Sequence, residues 1–128
     1  MSGTADPAVS VTAAGSVAEG PLGSVGVQQV LLGEPCGDNS PMLLGLSTVE
    51  AGRTSPLIEH DTAEVAYVTA GTGAMVTDRD EQPFAPGDAI LIDAHCWHAI
   101  RADAETRVQM VFAFPTPELP PTRRREDK

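Results

Sequence analysis

Several things are scarce in this chain. Aromatic residues make up 4% of its 128 residues: three Phe, one Tyr and one Trp. With so few rings, a stacking platform for sugars or bases is hard to build. Basic residues are few, eight against eighteen acidic ones, and the formal charge at pH 7 is −10. Four of the eight (Arg123, Arg124, Arg125 and Lys128) crowd the last six positions, so residues 1–114 carry four basic residues against fifteen acidic ones. Such a surface repels phosphate backbones, and no nucleic-acid partner is expected. The two cysteines, Cys36 and Cys96, form no CxxC pair, and free thiols in a reduced compartment are expected. No apolar run approaches the ~18 residues of a membrane span. The start, "MSGTADPAVSVTAAG", has neither a basic n-region nor an apolar h-region. A cytoplasmic location without membrane contact follows as the expectation.

Helical periodicity is scarce as well. No window places apolar residues at i, i+3, i+4 and i+7 better than it fits a strand. Extended segments recur instead, with a turn signal about every ten residues. Val25–Gly33, Met42–Gly52, Ala63–Gly71, "AMVTD", "AILID", "CWHAIRA" and Arg107–Phe114 read as strands. Gly, Pro, Asn and Asp clusters separate them, and "SPLIEH" is short and extended, with Pro56 blocking a helix. The pattern predicts an all-β sandwich or barrel in one domain. Residues 1–23 are expected to be a flexible N-terminal arm, with one short strand at Ser10–Ala14. Residues 24–114 form the barrel, and the Pro- and Arg-rich residues 115–128 a disordered tail.

What chemistry there is sits between Gly52 and Arg101. That stretch holds all three histidines, His60, His95 and His98, and it holds Glu64 four residues after His60. On one straight strand His60 and Glu64 would share a face but lie about 13 Å apart, at about 3.3 Å per residue. No single ion spans that gap, because metal–ligand bonds are about 2.0–2.2 Å. A common metal therefore requires the chain to bend at Asp61–Ala63 and His98 to arrive from another strand. Side chains sharing the inward parity of Glu64 are Ala66 and Val68. On the other motif strands they are Ile90, Ile92 and Ile100, and one of Gln109 and Met110 faces inward, Gln109 being taken as the lining residue. The pocket so drawn is small and aliphatic.

Here the residues resemble a family pattern, that of the cupin superfamily of small microbial proteins. Its first motif runs G, five residues, H-x-H, three or four residues, E, six residues, G. This chain has Gly52, Ile58-x-His60, Glu64 and Gly71 at those spacings. The second runs G, five residues, P-x-G, two residues, H, three residues, N. Here Gly87, Asp93, His95, His98 and Ala102 fall on those places, Asp93, His95 and Ala102 replacing Pro, Gly and Asn. The resemblance covers residues 41–114. It implies an antiparallel double-stranded β-helix (jelly-roll) barrel with a divalent metal in its mouth. Carried over by position, His60, Glu64 and His98 are the metal ligands, while Ile58 stands where the first histidine would be and lines the pocket. Two histidines and one carboxylate suit Fe, and Mn, Ni or Zn also accept such donors.

The resemblance further implies a homodimer and small-molecule metabolism. An enzyme would act on a small organic acid or biosynthetic intermediate by dioxygenase, isomerase/cyclase or lyase chemistry. The other reading is a non-catalytic small-molecule-binding barrel without a tightly held metal, which the missing first histidine favours. His95 occupies a turn place where the pattern has Gly, and His tolerates positive φ better than most residues; it is an exposed turn residue, a substitute fourth ligand or an acid/base group.

Overall fold

A computed structural model describes residues 6–125 of the chain. It contains eleven strands in two antiparallel sheets: β1 (Gly20–Leu22), β2 (Gly26–Leu32), β3 (Leu43–Val49), β4 (Ile58–His60), β5 (Glu64–Ala70), β6 (Gly73–Thr77), β7 (Glu81–Phe84), β8 (Ala89–Ile92), β9 (His98–Ala102), β10 (Val108–Phe114) and β11 (Thr122–Arg124). One sheet has the order β1-β2-β3-β10-β5-β8, the other β11-β4-β9-β6-β7. The sheets enclose the core as a double-stranded β-helix, and among the described residues there is no α-helix, only single 3-10 turns at Ala14–Ser16 and Glu34–Cys36. This is the expected all-β antiparallel barrel.

Alternation explains the packing. In β3, Leu43, Gly45, Ser47 and Val49 are buried while the residues between them are half-exposed. In β10, Val108, Met110, Phe112 and Phe114 do the same. The two strands pair without interruption from Val108 opposite Val49 to Phe114 opposite Leu43, so both inward sets reach the core together. In β5, Ala66 and Val68 point in and Val65 and Tyr67 point out. Between β10 and β5 the register shifts at Gln109/Met110, leaving Thr69 as an extra residue. Its hydroxyl donates to both Gln109 O and Gln109 Oε1 at 3.1 Å. The extra residue belongs to β5; β10 keeps its strict alternation, with Gln109 on the outer face and Met110 inside.

The motif glycines have a backbone reason. Gly52, Gly71 and Gly87 all have φ between 74° and 96°, and His95, the turn histidine, has φ 66°. These left-handed positions mark the turns at which the chain changes strands. Gly45 is needed for space instead. A Cβ there would lie 2.4 Å from Phe112 Cζ and 2.5 Å from Gln29 O. Only a bare Cα lets the Phe112 ring lie across β3.

The ends depart from expectation. Ser10–Ala14 forms no strand, and residues 1–5 of the arm lie outside the described residues. The barrel begins before residue 24, because β1 pairs with β2. Gln29 Nε2 also ties down the preceding chain, donating to Ala14 O at 2.8 Å and to Val17 O at 2.9 Å. The tail is not disordered over 115–125. Thr122–Arg124 adds to the edge of β4, with Thr122 opposite His60 and Arg124 opposite Ile58. Composition suggested disorder because the prolines donate no amide. They stand before Thr122, so the short strand keeps its donors, and Arg123 and the following Arg125 find carboxylates on the barrel. Residues 126–128 lie outside the described residues.

Gly45→Ala should push Phe112 out of place and destabilise the fold by about 2 kcal/mol, as overpacking does. Urea unfolding should show a lower midpoint with an unchanged slope; an unmoved midpoint would mean that Phe112 does not depend on this gap.

Candidate metal centre

β4 ends at His60, the chain bends over Asp61–Ala63, and Glu64 opens β5 in the opposite sheet. The bend replaces the roughly 13 Å of a straight strand with a contact of 3.2 Å between His60 Nε2 and Glu64 Oε1. His98, the first residue of β9, approaches from the other side, its Nε2 3.6 Å from the same oxygen. The ligand atoms of the three residues lie within 4.8 Å of one another. His60 and His98 are buried, at 7% and 5% exposure. Their rings are 5.1 Å apart, and Phe114 packs edge-on to His60 at 5.0 Å.

Hydrogen bonds at the far side of each ring set its tautomer. His98 Nδ1 lies 2.8 Å from Cys96 O. A carbonyl only accepts, so Nδ1 carries the hydrogen and Nε2 a lone pair. His60 Nδ1 lies 2.7 Å from Thr122 Oγ1, and that hydroxyl donates to Pro120 O at 3.0 Å. Thr122 has a single hydroxyl hydrogen, so the arrangement that satisfies both contacts has His60 Nδ1–H donating to Oγ1. Both imidazoles then aim an Nε2 lone pair at a carboxylate oxygen. Three acceptors meeting at one buried point repel unless a proton or a cation lies among them. Burial pushes the Glu64 carboxyl up, but the hydrogen bonds and positive charge offered by the two imidazoles when protonated outweigh it, and the group lies below its ordinary value. Glu64 is thus a carboxylate at neutral pH. The donor set fits a divalent metal: two neutral imidazoles held by second partners, and one anion.

The three residues open onto a cavity of about 420 Å³. Of the lining residues drawn from the sequence, Ile58, Ile92 and Ile100 are there. Ala66 and Val68 point inward but are covered by the core, and Ile90 opens on a neighbouring, more polar depression beside Cys96. Met110 lines it in place of Gln109, because Met110 shares the inward parity of Val108, Phe112 and Phe114 on β10. The wall is also not purely aliphatic, since Phe112 and Phe114 both line it. Their inward parity on β10 was readable; the low aromatic content hid that two of the three Phe gather in one place. Gln28, Ser47, Ser55, Thr122 and Arg124 complete the polar lining. Strand parity could have found Ser47, whereas nothing local announces Thr122 and Arg124.

His95 does not join the site. Its ring is 62% exposed and its Nδ1 lies 3.1 Å from Glu59 Oε1. Glu59 alternates with His60 and so faces the other side of β4. Arg123 Nη2 sits among these groups, 2.7 Å from Glu59 Oε1 and also bonded to Asp61. Hydrogen bonds from Arg123 and then His95 hold the Glu59 carboxyl below its usual range. Glu59, Asp61 and His95 are close enough together to suggest a second ion site, but the guanidinium already supplies the cation. One residue from β11, Arg125 pairs with Asp78 through two nitrogens and covers the Trp97 ring at 4.5 Å. Both cysteines are free thiols.

Comparison with known proteins agrees with this architecture. The family model for the cupin domain matches residues 45–114. No curated protein matches the sequence. Among solved structures, the polyketide cyclase RemF from Streptomyces resistomycificus superposes with a TM-score of 0.78 at 18% identity, covering 94% of this chain and 88% of RemF. A cupin 2 domain-containing protein from Halorhodospira halophila gives 0.67 at 27% identity, covering 77% and 70%. Oxalate decarboxylase OxdC from Bacillus subtilis, in a structure concerned with its Mn(II) centres, gives 0.68 at 17% identity, covering 80% of this chain and 28% of that one. The family match spans more than half of the chain, includes both motifs and coincides with the barrel that carries His60, Glu64 and His98: the chain belongs to the cupin-domain family.

Proposed function

We propose that this protein is a metal-dependent enzyme acting on a mostly apolar, oxygen-bearing small molecule, by isomerase or cyclase type chemistry. One observation carries the reading: two imidazole lone pairs and a carboxylate converge at the wall of a cavity large enough for a substrate. When bound there, a divalent ion would act as a Lewis acid on a substrate oxygen. His60, Glu64 and His98 would hold it and leave its remaining positions facing the cavity. Thr122 and the Cys96 carbonyl orient the two rings. Phe112, Phe114, Met110 and the isoleucines bind the apolar body and exclude water.

No other carboxylate or imidazole belongs to the trio's end of this cavity among the described lining residues. A proton released by the substrate therefore passes to these three groups or to solvent, and His95 takes no part. Apolar walls suit a hydrophobic body better than a small dianion such as oxalate. The superposition on a polyketide cyclase along nearly the whole chain is compatible with the cyclase class. Ile58 in place of the first motif histidine favours the second reading, a small-molecule-binding barrel without tightly held metal.

The test is metal content of the purified protein by mass spectrometry. The parent should hold near-stoichiometric Fe, Mn, Ni or Zn, and His98→Ala should lose it. No metal in the parent after incubation with each of these ions would leave the binding barrel. Thr122→Val keeps the side-chain shape but removes the partner of His60 Nδ1. It should weaken metal affinity about ten-fold, the low end for loss of such a partner, and the loss should appear in a chelator competition. An unchanged affinity would mean that Thr122 does not orient His60.

The outer face of the larger sheet supports a homodimer. Val65, Tyr67 and Leu91 are 50%, 52% and 70% exposed. Val65 is the register partner of both Leu91 and Ala113, and Tyr67 lies opposite Val111. A second copy placed about a twofold axis would cover this contiguous patch on both subunits. Light scattering should give a dimer for the parent and a monomer for Leu91→Glu; a monomeric parent would sink the proposal.

A further inference from the structure

The cavity has polar groups at both ends. At one end stand His60, Glu64 and His98, level with Phe114, whose ring is 5.0 Å from that of His60. At the other end Gln28 on β2 is the register partner of Ser47 on β3, and Ser47 is the partner of Met110 on β10. All three line the cavity. Met110 and Phe114 are four residues apart on one strand, so the two ends are about 13 Å apart at about 3.3 Å per residue. Phe112 lies midway, over the space that Gly45 leaves.

Most nearby polar side chains have work inside the protein. Ser55 also lines the cavity, but its Oγ accepts from Ile100 N at 2.8 Å. Gln29, the neighbour of Gln28, points outward and spends its amide on Ala14 O and Val17 O. Thr122 is committed to His60 and Pro120. Gln28 and Ser47 differ. Their side chains make no hydrogen bond among the described residues, and no buried side-chain nitrogen or oxygen is left without a partner, so both open to the cavity. Ser47 is nonetheless only 8% exposed and sits on the inward face of the central strands. A hydroxyl and an amide placed there cost stability unless something hydrogen-bonds to them. Both are neutral and both can donate and accept. Their match is a neutral hydroxyl or carbonyl, not an ion.

We propose that Gln28 and Ser47 form a second anchor, for a neutral hydroxyl or carbonyl oxygen, at the end of the cavity opposite the His60–Glu64–His98 cluster. The site thereby selects elongated, largely apolar molecules oxygenated at both ends. The proposal rests on the metal-site reading only in assigning the other oxygen to that cluster.

Two rod-shaped probes test it: 4,4′-dihydroxystilbene, with an oxygen at each end, and 4-hydroxystilbene, with one. Titration calorimetry on the parent should give about ten-fold tighter binding of the diol, as one well-placed hydrogen bond provides. The Gln28→Leu/Ser47→Ala double variant should lose that preference and keep the affinity for the monophenol, with its fold checked by near-ultraviolet circular dichroism. Repeating both titrations after chelator treatment and on His98→Ala separates the two readings. If chelation weakens both probes together while the diol preference is present in the parent and absent from the Gln28→Leu/Ser47→Ala variant, both ends stand. If metal never matters yet the preference still depends on Gln28 and Ser47, the anchor stands and the metal reading falls. Equal binding of the two probes to the parent, a preference that survives in the double variant, or no binding of either probe would each overturn the anchor.

Discussion

Everything in this barrel is arranged around three acceptors held at one point. His60 and His98 come from one sheet and Glu64 from the other, so the cluster exists only while the sheets keep their relative position. The inward residues of β3 and β10 keep it. Phe114 stands opposite Leu43 and packs against His60, and the same pairing runs unbroken to Val108 and Val49. The backbone closes the arrangement: His95 N donates to His60 O at 2.8 Å, tying the second motif's turn to β4. The left-handed φ of His95 is what lets that turn reach across. A stable core and a repulsive site are therefore one structure, the first holding together what the second would push apart.

Strand alternation made most of the fold legible, because burial on one face of a strand leaves a period of two that composition cannot hide. The bend between His60 and Glu64 was legible for a different reason: two ligands four residues apart cannot reach one ion without it. Parity, however, gives direction and not depth. Val68 points inward as expected, but it is fully buried in the core and lines no part of the cavity. Gln109 was taken as lining, but the inward set of β10 is Val108, Met110, Phe112 and Phe114; an almost wholly apolar strand gives the sequence little to choose its face by. Ile90 has the right parity but opens on another depression. Spacing pointed to three residues that the fold does bring together, whereas the outline of the pocket depends on depth and on neighbouring strands, which carry no local signal.

The tail was illegible because its order is a property of pairs. Prolines and arginines near a terminus have the composition of a disordered segment, and no periodicity says otherwise. What orders them lies far off in the sequence: Glu59 and Asp61 for Arg123, Asp78 and the Trp97 ring for Arg125. The acidic excess of residues 1–114 and the basic cluster after it are two halves of one electrostatic arrangement. The Arg123–Asp61 and Arg125–Asp78 pairs are exposed and individually weak, while Glu59 is largely covered. Their sign is still definite. Glu59 is depressed in the folded state, so its contribution is present above its unfolded value and lost as pH falls through the folded one. A tail held this way brings Thr122 to His60, and the orientation of a buried ligand comes to depend on a surface contact.

Ile58 is where the chain parts most clearly from its family's pattern, and its position says what the change does. It lies two residues before His60 on β4, opposite His98 in the register, and it lines the cavity. An imidazole there would have been a fourth donor. The isoleucine instead continues the apolar wall made by Ile92, Ile100 and the two phenylalanines, at the point where that wall meets the cluster. Three donors hold an ion less tightly than four, but they leave more of its coordination sphere facing the cavity. Losing a ligand and gaining apolar surface act in the same direction. Both suit the proposed binding of a hydrophobic molecule directly against the cluster, in a chamber walled mainly by apolar side chains.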